Sequence, residues 1–141
     1  MNKLLLSVLA IFLASPLYAL PEEASINFTL TEIAKGENCP AQLMQAPLVV
    51  DYKYDFKRNM GQAHLRELKG FQWSETLYPL GLSKYYAFMS DMAPKTVPLA
   101  DGDVTIYRII FHLHYDGQSQ VWLMINPEGD CIMKSDFVDV N

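Results

Sequence analysis

The chain has 141 residues, of which half are hydrophobic, and a formal net charge of −5 at pH 7. This length fits one domain that can bury a substantial core. The acidic balance disfavours a nucleic-acid groove, because affinity for phosphate backbones comes from clustered Lys and Arg.

Residues 1–19 have the pattern of a secretory signal peptide. Lys3 gives a short positive start, residues 4–13 form an almost unbroken apolar run, and Ala19 is a small residue at the expected cleavage position. The apolar run is too short to cross a bilayer, which takes about twenty apolar residues. We expect cleavage after Ala19, which leaves residues 20–141 as a single exported domain. Its net charge becomes −6, because Lys3 is the one charged residue that is removed. The short signal is typical of bacteria and predicts the periplasm or the external medium.

Two strands are predicted in the first part of this domain. In residues 25–35, Ile26 and Phe28 alternate with polar neighbours, which favours a strand that leads into a short helix. Residues 48–56 alternate more clearly, with Tyr52 on one side and charged residues on the other. That second pattern predicts a half-buried strand.

Cys39 and Cys131 are the two cysteines of the chain. An even number of cysteines in an exported protein predicts a disulfide. Two buried free thiols or a reactive thiolate are the alternatives. The bridge would tie the front of the domain to its last strand, and the chain-entropy treatment of its long loop gives about 4 to 5 kcal/mol of stabilisation.

Two helices are predicted in the middle of the chain. Residues 59–69 place Met60, His64 and Leu68 on one helical face, although Gly61 weakens this helix. Residues 82–89 follow helical spacing, and Ser83 can cap their first turn.

The last forty residues predict a three-stranded meander. Residues 103–115 are rich in β-branched and aromatic side chains and lead into Asp116-Gly117, a strong hairpin signal. Residues 121–126 read as the return strand and residues 131–140 as the third strand. Together the elements predict an α+β fold: a curved antiparallel sheet that ends in this meander, with helices packed on one face.

A two-residue turn at Asp116-Gly117 would fix the register of the first hairpin. It would set Phe111 opposite Trp122 on one large apolar face. The other face would carry Arg108, His112 and His114 opposite Val121, Leu123 and Ile125. Because neither face is uniformly polar, we expect helices or a partner to cover both.

His112 and His114 form the clearest candidate for chemistry. Strand alternation places both imidazoles on one face, about 7 Å apart at their Cα atoms. They could bind one metal ion if a third ligand such as His64 or Asp116 converged on them. A pair of half-exposed histidines near a strand end is the simpler interpretation, and no metal, cofactor or catalytic residue is assigned.

Other candidate sites are weaker. Arg108 could serve an anionic ligand or pair with an acidic neighbour. Asn126, Glu128 and Asp130 have the spacing of some Ca²⁺ loops, but the pattern lacks a later bidentate Glu, and a turn explains the same residues.

The tyrosine content is high for a core of this size, which suits a ligand cleft or an interface. The tyrosines that carry this interpretation are Tyr52, Tyr54, Tyr85, Tyr86, Tyr107 and Tyr115. Two functions of different class follow. The first is a non-catalytic secreted or periplasmic binding module for a small apolar ligand or a protein, with self-association left open. The second is a small hydrolase or lyase that uses His112 and His114, with or without metal.

Overall fold

The computed structural model describes residues 19–37, 39–45, 47–66, 73–81, 85–91, 93–126 and 130–140. Of these residues, 66% lie in strands and 5% in helical structure. The predicted α+β class is therefore wrong, because helices do not pack on the sheet in the described part of the chain. The predicted signal peptide lies outside the described residues, apart from Ala19.

Ten strands and one 3-10 helix account for the regular structure of the described residues. The 3-10 helix spans Ala41–Gln45. The strands are β1 (Glu23–Lys35), β2 (Pro47–Asp55), β3 (Met60–Leu65), β4 (Glu75–Leu80), β5 (Tyr86–Ser90), β6 (Lys95–Leu99), β7 (Gly102–Leu113), β8 (Gln118–Ile125), β9 (Cys131–Ser135) and β10 (Val138–Asp139).

The strand pairings form a closed antiparallel circuit. Each of β1 to β4 pairs with the strand that follows it, β5 pairs with β7, and the pairings β7–β8 and β8–β9 continue the circuit. The circuit closes because β1 pairs with β2 along its first half and with β9 along its second half. Two short strands extend their neighbours. β6 continues β5 along the same edge of β7, and β10 continues β9 along the same edge of β8.

The predicted helix over residues 59–69 is wrong in its described part, because residues 60–65 return along β2 as β3. Its last residues, 67–69, lie outside the described residues. A turn reverses the chain after β2, and the Asp55 carboxylate accepts hydrogen bonds from the amides of Lys57 and Arg58. Asn59 then has a φ of 55°. Gly61 has a φ of 147°, and a Cβ there would lie 2.2 Å from the Lys53 carbonyl oxygen. Gly61 is thus required by close strand pairing.

The predicted helix over residues 82–89 is also wrong where the structure describes it. Residues 86–90 form β5, which is hydrogen-bonded to β4 on one side and β7 on the other. Phe88 lies at its centre, fully buried, with its ring stacked 5.6 Å from that of Phe111. Tertiary pairing overrides the helical spacing. The proposed cap Ser83 lies outside the described residues.

Near the start of the domain, residues 25–35 are strand throughout. The short helix that was predicted at the end of this segment is therefore wrong.

The closed sheet surrounds one hydrophobic core. Strand alternation sends apolar side chains inward from every part of the circuit. Its largest fully buried side chains are Phe28, Leu30, Leu43, Leu48, Leu65, Leu77, Phe88, Ile109, Phe111, Leu113 and Leu123.

The predicted C-terminal meander is present, but the register of its first hairpin is wrong by one residue. The amide of His114 donates to the Gln118 carbonyl at 2.8 Å, and Gly117 takes a φ of 87°. The loop therefore has three residues, with glycine in the left-handed position, and Phe111 pairs with Val121. A one-residue shift exchanges the two faces of a strand. Val121, Leu123 and Ile125 consequently point into the core, whereas Trp122 and Met124 point outward.

The predicted disulfide is present. Cys39 and Cys131 are bonded, with their Cα atoms 5.4 Å apart and a sequence separation of 92. The bridge ties the segment that follows β1 to the first residue of β9. The front of the domain and its C-terminal ribbon are thereby fixed to each other.

Candidate functional site

His112 and His114 lie at the end of β7 among aromatic rings. The ring centre of His112 is 4.9 Å from that of Tyr85, 5.7 Å from that of Trp122 and 6.4 Å from that of His114. His114 also stacks on Tyr85 at 5.1 Å and meets Phe137 edge-on at 5.3 Å. The two imidazoles are therefore packed into an aromatic cluster.

This packing sets the charge of His112. Burial, with a further contribution from the nearby His114, lowers the pKa of His112 to about 4. The ring is consequently neutral at pH 7. A neutral imidazole can bind a metal, but in the described part of the chain no three His, Cys, Asp or Glu side chains are grouped to hold one.

The structure does not bring the other predicted ligands to this pair. His64 lies on β3, between Asp51 of β2 and Thr76 of β4. The Asp116 carboxylate accepts the amide of Gln118 within its own turn. Among the described residues, no observation favours the hydrolase or lyase hypothesis over simple packing of the two histidines.

The other weak candidates have local contacts. The Arg108 guanidinium lies 5.3 Å from the ring centre of Tyr107 and 3.6 Å from the sulfur of Met89. Asn126 donates a hydrogen bond of 2.9 Å to the Asp130 carboxylate. Glu128, the middle residue of the proposed Ca²⁺ loop, lies outside the described residues.

Several of the tyrosines singled out from the sequence meet at one end of the closed sheet. Tyr54 lies near the end of β2, and Phe56 is the first residue after it. Tyr86 begins β5, and Tyr115 lies in the loop between β7 and β8. The Phe56 ring centre is 5.2 Å from that of Tyr54 and 4.8 Å from that of Tyr86. Tyr86 in turn meets Tyr115 edge-on at 5.1 Å. The result is a continuous series of rings.

An open cleft of about 440 Å³ lies over this series, and we call it the aromatic end cleft. Its lining residues are Ala19, Leu20, Glu22, Phe56, Lys57, Tyr86 and Tyr115. Most of this surface is apolar, and one cation and one carboxylate stand beside it. That composition is typical of sites for small organic molecules.

Hydrogen bonds hold the two tyrosines that pack against Phe56 of the cleft. The Tyr54 hydroxyl donates to the Asn59 side-chain oxygen at 2.5 Å, and the Tyr52 hydroxyl donates to the Pro21 carbonyl at 2.7 Å. The Glu22 carbonyl accepts the amide of Tyr54 at 2.7 Å. Burial, together with the neighbouring Tyr86, raises the pKa of Tyr54. Tyr54 therefore stays a neutral donor, and the backbone at Pro21 and Glu22 is held beside the cleft.

A second concavity of about 470 Å³ lies on the outer face of β1, β2 and β3. Its side chains are mostly polar, and Asp51 is already engaged, because Arg66 donates to both carboxylate oxygens and also reaches Ser25 at 3.2 Å. Burial acts to raise the pKa of Asp51, but its hydrogen bonds with Arg66 and Ser25 act the other way, and the pKa of Asp51 is lowered. The Asp51 carboxylate is thus an ion-pair partner and is not available as a base.

Sequence reasoning identified the tyrosines of the aromatic end cleft but missed its wall. Leu20, Glu22 and Lys57 give no local signal of a site, since they become neighbours only when the N-terminal segment crosses the end of the sheet.

Compared with known proteins, the chain matches no family model, no curated protein and no solved structure. Within the described ranges, no helix has both the length and the apolar character needed to span a membrane.

Proposed function

We propose that this chain is an exported, disulfide-stabilised binding module that takes up a small apolar molecule in the aromatic end cleft. One observation carries the proposal: Phe56, Tyr86 and Tyr115 line an open cleft of about 440 Å³. Cavities of roughly 300 to 1,000 Å³ with mainly aromatic linings are the usual sites of small ligands.

The packed interior supports the choice of the end cleft. Phe88 and Phe111 are fully buried. Phe88 packs edge-on against Tyr54, whose ring in turn contacts Phe56 and Tyr86 of the cleft. A ligand would therefore rest on the end of the core, against the edges and faces of the rings. A planar apolar molecule fits such a surface, because aromatic pairs gain about 0.5 to 1.5 kcal/mol each beyond simple burial.

The expected affinity is modest. A ligand of about ten non-hydrogen atoms that gains about 0.5 kcal/mol per atom would bind with about 5 kcal/mol. This corresponds to a Kd of roughly 0.2 mM. Phe56, Tyr86 and Tyr115 pack against one another, which limits the side-chain freedom that is lost on binding and favours this affinity.

Export rests on the sequence pattern of residues 1–19 and on the disulfide. A bond between Cys39 and Cys131 is compatible with an oxidising compartment such as the periplasm or the external medium.

Titration with anilinonaphthalene sulfonate, a fluorescent apolar probe, tests the binding proposal. Tyr115→Ala should weaken probe binding by at least about threefold, because it removes one wall of the cleft. Tyr78→Ala is the matched control, since Tyr78 is 54% exposed, Tyr115 is 49% exposed, and Tyr78 does not line the cleft. Equal binding by both variants and the unmodified protein would reject the aromatic end cleft as the site.

A further inference from the structure

The point at which the sequence predicts leader cleavage lies in the wall of the aromatic end cleft. Ala19 and Leu20 both line this cleft, and Leu20 also packs against the hydrophobic core. Cleavage after Ala19 would remove one lining residue and make Leu20 the first residue of the exported chain. Processing would therefore change both the shape and the charge of this cleft.

Pairing with β2 fixes the place of this new N-terminus. The Glu22 carbonyl accepts the amide of Tyr54 at 2.7 Å, which continues the β1–β2 register beyond the start of β1. Two steps further along this register, Leu20 reaches the level of Phe56, and Lys57 follows Phe56 directly. Leu20, Phe56 and Lys57 all line the cleft, as this register requires. The backbone nitrogen of Leu20 is thereby placed at the same end of the cleft as Lys57.

Cleavage exchanges a neutral peptide bond in this wall for a cation. Hydrolysis adds the hydroxyl group of water to the Ala19 carbonyl carbon and a hydrogen to the Leu20 nitrogen. The new carboxylate leaves with Ala19 and the leader, whereas the new α-amino group stays on Leu20. The ordinary pKa of an α-amino group is about 7.7 to 8.0, so this group is mainly protonated at pH 7.

The charges around the processed cleft favour a negative group on the ligand. Lys57 is exposed, and within the described part of the chain its ammonium has no ion-pair partner. The neighbouring Asp55 carboxylate pairs with Arg58 at 3.7 Å. Among the described lining residues, Glu22 carries the one carboxylate. The Lys57 ammonium and the Leu20 α-ammonium against this carboxylate leave one positive charge, which a single anionic group would neutralise.

We propose that removal of residues 1–19 completes the aromatic end cleft, and that the processed cleft selects a planar apolar molecule with a single carboxylate, an assignment that rests on the proposed function. The ring system of the ligand lies on the aromatic side chains of the cleft, and its carboxylate contacts Lys57 and the Leu20 α-ammonium. A neutral molecule of the same shape makes the ring contacts alone. In the unprocessed chain the charges of Lys57 and Glu22 cancel, so the carboxylate is not preferred.

Isothermal titration calorimetry with indole-3-acetate and its neutral counterpart indole-3-ethanol tests the proposal. The full chain is expressed in a bacterial host, and Edman degradation of the exported protein should read Leu-Pro-Glu-Glu. Indole-3-acetate should bind this protein at least about threefold more tightly than indole-3-ethanol, since exposed ion contacts each add a modest amount. A different N-terminal residue or equal affinities would overturn the proposal. Equal affinities would leave the cleft as a site for apolar molecules, whereas binding of neither compound at about 2 mM, tenfold above the expected Kd, would reject that function as well.

Removal of single charges locates the carboxylate. Selective acetylation of the α-amino group removes the cation on Leu20, and Lys57→Gln removes the other one. Each change should weaken binding of indole-3-acetate about threefold and leave binding of indole-3-ethanol unchanged. Lys53→Gln is the matched control, because the Lys53 side chain is 86% exposed and does not line the cleft. Unchanged affinity for indole-3-acetate in either modified protein, or an equal loss in Lys53→Gln, would contradict the proposal.

Discussion

The packing of His112 makes the stability of this fold depend on pH. Because burial holds its pKa at about 4 against an ordinary value of 6.5, the unfolded chain binds a proton more readily than the folded one. The full stability is present above pH 6.5 and is lost progressively as the pH falls towards 4. The same two values give a loss of about 2 kcal/mol at pH 5 and about 3 kcal/mol at pH 4.

Urea unfolding of the protein and of His112→Gln, followed from pH 7 to pH 4, measures this effect. Carboxylates also titrate in this range, so the informative quantity is the difference in unfolding free energy between the two proteins. The unmodified protein should lose about 2 kcal/mol more than His112→Gln between pH 7 and pH 5. His64→Gln is the control, because His64 is an exposed histidine on β3. A difference between the protein and His112→Gln that stays constant over the whole pH range would refute the argument.

Two further predictions concern the stability of the fold. The double variant Cys39→Ser with Cys131→Ser should lose about 4 to 5 kcal/mol of unfolding free energy in urea denaturation, because the bridge closes a long loop; a loss below about 1 kcal/mol would contradict it. Gly61→Ala should lower the free energy of unfolding by at least about 2 kcal/mol, because the added Cβ would clash with a β2 carbonyl. Gly81→Ala is the control and should destabilise the protein less, because no atom lies within 4 Å of its added Cβ. Equal thermal midpoints for the two alanine variants would argue against the close strand approach.

The sequence was sufficient to predict that a C-terminal hairpin exists, but not to predict the register of its two strands. Asp116-Gly117 suits a two-residue turn and also a three-residue loop that ends in a left-handed glycine. The choice between them depends on which face of β8 enters the core. Val121 and Leu123 enter it because they pair with Phe111 and Ile109 on the inner face. That pairing depends on tertiary packing, which the sequence of the hairpin alone does not determine.

The middle of the chain was not predictable as strand. Short apolar segments such as residues 86–90 fit both helical and extended spacing, and pairing with two neighbouring strands decides between them. Gly61 was the one local feature that argued against a helix here, because an isolated glycine often marks a position where another backbone approaches closely. Closure of the sheet by β1 with β9 joins distant parts of the sequence, so periodicity could not reveal it.

The candidate site was predictable only as a set of residue types. Tyrosine abundance pointed to a cleft, and the structure gathers Tyr54, Tyr86 and Tyr115 from three separate elements. The pairing of the two cysteines followed from their number. The partners of His112 did not follow from sequence, because Tyr85 and Trp122 reach it through strand pairing.

Backbone amide chemical-shift mapping tests the proposed binding function most directly. On addition of anilinonaphthalene sulfonate to the isotope-labelled protein, we predict the largest shifts at Leu20, Phe56, Tyr86 and Tyr115, around the aromatic end cleft. Shifts concentrated on the outer face of β1 to β3, or the absence of any saturable shift, would contradict the account.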